Sequence, residues 1–425
     1  MKKVLMVAYQ FPPMGGSGVQ RTTKFVKYLP EFEYEPIVFT RENKNTELKD
    51  STLMKDIPRD LDIIRTKPYD FTELPGILKL FGKVINRKIL IPDGERVWQL
   101  LSKKKAEDYI EKNNVDIIYT TSYPYSDHLL GLHLKKKYPN IPWVVDFRDE
   151  WTNNPYLLDS PHYNFRMNLE KEMEKEVLTM GDYLITNTPI MMENFIKTYP
   201  FTKDKFNVIP NGYDEEDFKG MDRQLPENDK MTITYTGSFY GRRKPDIFFK
   251  ALQELINEKK INKSDIKINL VGNYKVKVIE NMINENNLNG IVEIYDYMEH
   301  KESIKMLMQS DCLLLIIGSG RGAEAFYTGK IFEYMYTGRP ILALVPEKGV
   351  AADVIRKTET GCVADSRDLN KIKENVMKLY QNWLDKNNDF TPNWDKIKRF
   401  DRKELTKKLS NVFDNALDNF QGRQR

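Results

Sequence analysis

Residues 2–25 read KKVLMVAYQFPPMGGSGVQRTTKF. The apolar run at 3–9 has the length of a buried strand. From Val19 onward, Val19, Thr23, Val26 and Leu29 return with the spacing of an amphipathic helix, and Ser17 with Gln20 has the form of a capping box. Between strand and helix lie Gly15 and Gly16, which would let backbone N–H groups approach a ligand with no Cβ in the way, while the helix start adds partial positive charge. A plain strand-to-helix turn has the same composition, and the spacing lacks the full pattern of a dinucleotide or Walker loop.

The same unit repeats along the chain. Strand-like runs VLMVAY, PIVFT, DIIR, VDIIYTT, PWVVDF and DYLITN fill the first half, and TITYTG, IKINLVG, IVEIY, DCLLLII, PILALV and GCVA the second. Helical stretches such as 244–258, 275–286, 301–309, 329–337 and 350–358 separate the later ones. Strands alternating with helices predict α/β architecture with doubly wound, Rossmann-like parallel sheets, and two such sets predict two similar domains. At 425 residues the chain also exceeds the size at which one core keeps growing. The expected division is a first domain over 1–212, a polar linker over 213–230 after Pro210, Asn211 and Gly212, a second domain over 231–390, and a helical segment over 391–425. In that last segment Trp394, Ile397, Leu405, Leu409 and Phe413 form an apolar stripe that must be buried somewhere.

Composition narrows the function classes. Apolar residues make up 40% of the chain, enough for ordinary globular cores, and no run approaches the roughly 18 apolar residues of a membrane span. The N-terminus runs into a strand with no cleavable leader, so the expected location is the cytoplasm. Lys and Arg total 66 against 62 Asp and Glu, a net +4 too mild to point to nucleic acid. Cys312 and Cys362 fall in separate apolar runs and read as buried thiols, with neither a disulfide framework nor a zinc site.

In open parallel sheets ligands bind at the carboxyl ends of the strands. One such end is YTGSFYGRRKPDIFFKAL (235–252), where Arg242, Arg243 and Lys244 crowd the junction between Gly237 and a helix starting near Pro245. Cations at a helix start oppose its dipole, a conflict an anionic ligand would relieve; a solvated charge cluster is the bland alternative. Another is AFYTGKIFEYMYTGRPILALV (325–345), with Thr328 and Gly329 at a helix start and Gly338 and Pro340 at its end. Lys330, Glu333 and Thr337 share a face there. An i,i+3 Lys–Glu pair is commonly just a solvated face, yet at a sheet's carboxyl edge such a carboxylate can accept two ribose hydroxyls.

Taken in order, FPPMGGSGVQR (11–21), VDFRDEW (145–151), IPNGYD (209–214), TGSF (236–239) with RRK (242–244), LVG (270–272), SDCLLL (310–315) and TGKIFEYMYTGRPIL (328–342) resemble the retaining glycosyltransferases of the GT-B fold. The resemblance is in particular to family 4, nucleotide-sugar-dependent enzymes that build bacterial cell-surface glycans, and it covers essentially the whole chain. It implies two Rossmann-like domains with an interdomain cleft, the acceptor held mainly by the first and the nucleotide sugar by the second, and a C-terminal helix that crosses back onto the first domain. Carried over by position, Lys244 corresponds to the phosphate-binding lysine and Glu333 to the ribose-binding glutamate. The Gly15–Gly16 turn faces the diphosphate, and Thr328 and Gly329 offer it backbone N–H groups.

There are departures. The family's two glutamates have seven residues between them, which places the first at Ala325, one position from Glu324. The usual arginine falls on Ser238, leaving Arg242 or Arg243 to supply that charge. Arg148, beside Asp149, stands where many relatives carry a histidine near the sugar.

As the bond to the nucleotide breaks, negative charge grows on the diphosphate and positive charge on the anomeric carbon. Lys244, Arg242, Arg243 and a helix N-terminus suit the first, and a carboxylate such as Asp149 suits the second or orients the acceptor. These cations can do what a divalent ion does elsewhere, so no metal and no cofactor are expected; Asp60 and Asp62 form the only Asp-x-Asp, ahead of a weak strand. An inverting enzyme needs a general base, and His128, His133, His162 and His300 all lie outside the glycine loop, which favours retention. His128 is the one histidine suspected of touching the acceptor, against the alternative of a satisfied core or surface residue. Residues 79–105, KLFGKVINRKILIPDGERVWQLLSKKK, interleave Phe81, Ile85, Ile89 and Trp98 with basic residues and suit either an anionic membrane surface or a helix packed on the first domain.

The expectation is a hexosyltransferase-type enzyme (EC 2.4), metal-independent, acting on a nucleotide sugar and a glycan or lipid-linked glycan in polysaccharide biosynthesis, at the inner membrane face if 79–105 docks there. Two rivals stand beside it: a GT-B nucleotide-sugar epimerase or phosphorylase, and a non-catalytic two-lobed binding protein.

Overall fold

The computed structural model describes residues 1–43, 49–69, 90–158, 164–224, 226–386 and 390–424. They form two compact units, Met1–Pro210 with Arg402–Arg425, and Asn211–Asp401.

The first unit is built on strands β1 (Lys2–Val7), β2 (Tyr34–Arg41), β3 (Asp62–Thr66), β4 (Ile117–Ser122), β5 (Trp143–Phe147), β6 (Tyr183–Thr186) and β7 (Phe206–Val208), in the order β3-β2-β1-β4-β5-β6-β7. The second holds β8 (Met231–Thr236), β9 (Ile266–Val271), β10 (Val292–Tyr295), β11 (Cys312–Ile316), β12 (Ile341–Leu344) and β13 (Gly361–Ala364), ordered β10-β9-β8-β11-β12-β13. All pairs are parallel. The strand order reverses between β1 and β4 and again between β8 and β11. These are the switch points beside which ligands bind in doubly wound sheets.

Helices on both faces explain why the strands read as continuous apolar runs. In β11, Leu314 packs with Tyr235, Leu270, Phe248 and Leu252 in one cluster, while Leu313 and Leu315 pack with Ile331, Met335 and Ile355 in another. The side-chain period of two thus feeds two cores from a single strand.

The C-terminal helix Arg402–Gln424 places Leu405, Leu409 and Phe413 at i, i+4 and i+8 against Val4, Met6, Tyr34 and Tyr119 of the first unit. Each such burial contributes about 1.5–3 kcal/mol. The stripe read over 391–425 is divided, however: Trp394, Ile397 and Phe400 join the core of the second unit, and Asn393 N–H donates to the Thr358 carbonyl at 2.8 Å. The predicted linker is also displaced. Tyr213 is buried, stacks on Tyr336 with centroids 4.1 Å apart and donates its N–H to the Phe400 carbonyl at 3.1 Å, so the chain from Asn211 already belongs to the second unit.

The first helix spans Ser17–Tyr28 with Gly16, at φ 107, as its N-cap, so it starts one residue earlier than the capping box read at Ser17 and Gln20 supposes. Of 79–105, residues 79–89 lie outside the described residues. In the helix Arg96–Lys112, Trp98 is a core residue whose Nε1 donates to Thr66 Oγ1 at 2.7 Å, not a membrane-facing one. Leu100 and Leu101 on that helix are exposed. Among the described residues no helix is long and apolar enough to cross a membrane.

Candidate functional site

In the second unit the loops after β8, β9 and β11 converge at the switch point. Gly237 and Gly272 both have positive φ, +118 and +149, and a Cβ on Gly272 would collide with the Gly237 carbonyl oxygen. Only glycine allows that backbone approach. Across the switch point the Arg242 backbone lies against Gly318 and its guanidinium against Gly320, and Nη1 donates to the Arg321 carbonyl at 3.0 Å. The helix Asp246–Asn257 then starts directly after this loop, anchored by buried Phe248, Phe249, Leu252 and Leu255.

Two cations are held inside this frame. Lys330, the first residue of the helix Lys330–Thr337, places Nζ 4.2 Å from the Tyr235 ring centroid and hard against Gly237. Burial, helped by the neighbouring Arg243, pushes its ammonium down to about 7, although Glu333 acts in the opposite sense. Arg243 is buried between the rings of Tyr240 and Phe326, 4.8 and 5.1 Å from its guanidinium carbon, and its Nε has no hydrogen-bond partner; neither has the buried Thr328 Oγ1. Glu333, one turn along the same helix, accepts from His300 Nε2 at 2.7 Å. Cations on aromatic faces, a helix N-terminus and a held carboxylate together suit a ligand that carries phosphates and hydroxyls.

Not every residue singled out from the sequence joins this group. Of the Arg242–Lys244 run, Arg243 is the one turned inward; Lys244 is exposed on the last residue but one before the helix. Lys330 and Glu333 are not a solvated pair, since one rests on Tyr235 and the other is held by His300. Thr337 is buried and closes its own helix by donating to the Tyr334 carbonyl at 2.7 Å. Glu324 sits in the short turn Ala323–Ala325, with its backbone 3.0 Å from where a Cβ on Gly349 would lie. Gly329 is the N-cap of the Lys330 helix.

In the first unit Gly15 and Gly16 end the loop after β1, at the start of the helix Ser17–Tyr28. The Arg148 guanidinium is engaged by backbone: it donates to the carbonyls of Ser122, Gly18 and Tyr123, the last at 2.8 Å, and so ties the loop after β4 to the glycine loop. Asp149 is partly buried, and its charge helps hold the Arg148 guanidinium protonated against the cost of burial. His128 is a core residue at 0% exposure, with Nδ1 2.8 Å from Thr120 Oγ1 and its ring on Phe147; burial pushes it down to about 3, so it is neutral and closed to an acceptor. Asp62 accepts from Tyr109 Oη at 2.6 Å, while Asp60 is exposed.

Sequence reasoning passed over the ion pair beneath the glycine loop. Arg21 Nε and Nη2 donate to the Asp146 carboxylate at 2.7 and 3.0 Å, and Nη1 and Nη2 donate to the Pro210 and Ile209 carbonyls, each at 2.9 Å. Both side chains are at most 1% exposed. A charge inside the apolar strand VVDF was the available signal, because such a charge needs a partner.

Residues 16–217 match the family model described as Glycosyltransferase Family 4, and residues 230–382 the model described as Glycosyl transferases group 1. With its two doubly wound units the chain belongs to the family 4 glycosyltransferases of the GT-B fold. Among solved structures it is similar to sucrose-phosphate synthase from Thermosynechococcus elongatus, with a TM-score of 0.70 and 14% identity over 99% of this chain and 100% of that one. It is also similar to a glycosyltransferase from Rickettsia africae ESF-5, with a TM-score of 0.68 and 16% identity over 98% and 99% of the two chains. WaaG, a glycosyltransferase involved in lipopolysaccharide biosynthesis, gives a TM-score of 0.60 at 14% identity over 99% and 100%. At these identities the likeness is one of fold. A search of curated protein sequences gives no match.

Proposed function

We propose that this glycosyltransferase moves a sugar from a nucleoside diphosphate sugar to a glycan or lipid-linked glycan, with retention of configuration and without a metal ion, in the synthesis of surface polysaccharide or cell-wall glycan. The observation that carries the reading is the pairing of Lys330 and Arg243 on aromatic rings at the β8–β11 switch point, with Glu333 one helical turn away. In this reading Arg243, Lys330 and the N–H groups at Thr328 and Gly329 take the diphosphate, and Lys244 and Arg242 add charge at its rim. The departing oxygens gain negative charge as the sugar leaves, and fixed cations and main-chain dipoles stabilise that charge without reorganising. Glu333 accepts the ribose hydroxyls. The first unit takes the acceptor, with Asp149 as its candidate carboxylate and Gly15–Gly16 as its close backbone approach. His128, buried in the core, is withdrawn as a base for inversion. The part played by WaaG in lipopolysaccharide biosynthesis supports a surface glycan as product.

The test is to incubate the protein in EDTA with UDP-, GDP- and ADP-sugars and a lipid-linked glycan fraction, and to follow nucleotide release and the anomeric configuration of the first product. Release of one nucleoside diphosphate with a retained anomer is expected. Interconversion of the sugar with no acceptor would favour an epimerase, and binding with no turnover a non-catalytic protein.

A further inference from the structure

We propose that His300 is a positioning residue for donor recognition, which presents the Glu333 carboxylate to the ribose hydroxyls through the His300–Glu333 hydrogen bond, with Asp217 on the far side of the ring. The inference deepens the donor-site reading above and rests on it.

Glu333 stands on the first turn of the helix Lys330–Thr337, and a glutamate side chain there has several rotamers open to it. Its Oε1 accepts from His300 Nε2 at 2.7 Å, and both side chains are only 13% exposed. On the other side of the ring Nδ1 lies 3.9 Å from Asp217 Oδ2, beyond hydrogen-bond reach but close enough for a charged imidazole to pair with it. The elements that carry these residues are anchored by packing. His300 opens the helix His300–Met308, whose Ile304, Leu307 and Met308 share a core with Ile331 and Met335 of the Glu333 helix. Asp217 lies in the turn Glu215–Phe218, where Phe218 packs on Tyr336 with centroids 4.7 Å apart.

An imidazole N–H directed at a carboxylate fixes both the tautomer and the carboxylate plane, as outer-shell partners do for metal ligands. The bond to Oε1 uses one lone-pair site and leaves acceptor capacity on a carboxylate that has about four. A held carboxylate loses less freedom when the ligand arrives, so its hydroxyl bonds add more to affinity.

This predicts an effect confined to the ribose. Calorimetry would compare the tightest binder among UDP, GDP and ADP with its 2′,3′-dideoxy counterpart, in wild type, Glu333→Ala, His300→Ala and His300→Gln. Wild type is expected to prefer the ribose form by about tenfold, since hydrogen bonds to a charged group are among the stronger ones. Glu333→Ala removes the preference. His300→Ala cuts it to within about threefold while leaving dideoxy affinity unchanged, and His300→Gln, whose amide can still donate, restores part of it. If His300→Ala fails to fold, His300→Leu carries the same comparison. A wild-type ratio in the His300 variants overturns the proposal, as does an equal loss for both ligands, which marks a merely structural role. If wild type shows no preference, or Glu333→Ala keeps it, the ribose reading of Glu333 itself fails and the His300 proposal falls with it.

Discussion

Binding of a nucleoside diphosphate should draw a proton onto Lys330. In the free protein, burial against Tyr235 and Gly237 beside Arg243 pushes the ammonium from 10.5 down to about 7. At pH 8 only about one-tenth of the free molecules then carry the charge. A diphosphate within a few ångströms favours the protonated amine and raises its pKa again. The sign follows: protons are taken up on binding, from almost none below pH 6 to about one per site above pH 8. Apparent affinity falls about tenfold for each pH unit above 8, or about 1.4 kcal/mol. The terminal phosphate loses its last proton near pH 6, so a window of about pH 7.5–9 isolates the lysine. Without ligand the same shift makes folding stability rise with pH between about 7 and 10.5, because there the unfolded chain holds the proton and the folded chain does not. Calorimetry at pH 8.5 in buffers of different ionisation heat counts the protons directly. Lys330→Met should abolish both the uptake and the pH slope. Wild-type binding with no uptake, or an unchanged slope in Lys330→Met, would refute the reasoning.

Further outcomes follow from the packing. Gly272→Ala forces a Cβ onto the Gly237 carbonyl at a φ of +149, so a loss of about 1–3 kcal/mol and of nucleotide binding is expected in thermal melts and titrations; a wild-type melt would contradict it. Arg21→Met leaves the Asp146 carboxylate buried without its cation and should cost about 3–5 kcal/mol in denaturant unfolding, most of it recovered by adding Asp146→Leu; a loss within about 1 kcal/mol would count against it. His128 resists protonation down to about 3, whereas an unfolded imidazole binds its proton near 6.5. Stability should therefore fall by up to about 1.4 kcal/mol for each pH unit below 6.5, and His128→Asn should flatten that acid limb.

The sheets were legible because strands covered on both faces carry apolar runs: VLMV of β1, WVV of β5 and CLLLI of β11 stand out in a chain that shows helical periodicity between them. The site was legible as a region rather than as side chains. Arg242, Arg243 and Lys244 are adjacent in sequence, and which of them turns inward depends on the approach of Gly272 to Gly237 and of Gly318 and Gly320 to Arg242, which no linear spacing reports. His300 lies on a different helix from Glu333, so their bond exists only once two helices share a core. Burial of His128 is equally a property of the assembled unit, set by Thr120 below it and Phe147 beside it. The stripe from Trp394 to Phe413 looks continuous because both parts are apolar; the change of unit at Arg402 leaves no mark in hydrophobicity.

Calorimetric titration of wild type and Glu333→Ala with UDP, GDP and ADP in EDTA tests the donor-site account most directly. One diphosphate should bind wild type without any divalent ion, and at least about tenfold more weakly in the variant, for loss of a charged acceptor of ribose hydroxyls. Failure of all three to bind, or equal affinity in the two proteins, would contradict it.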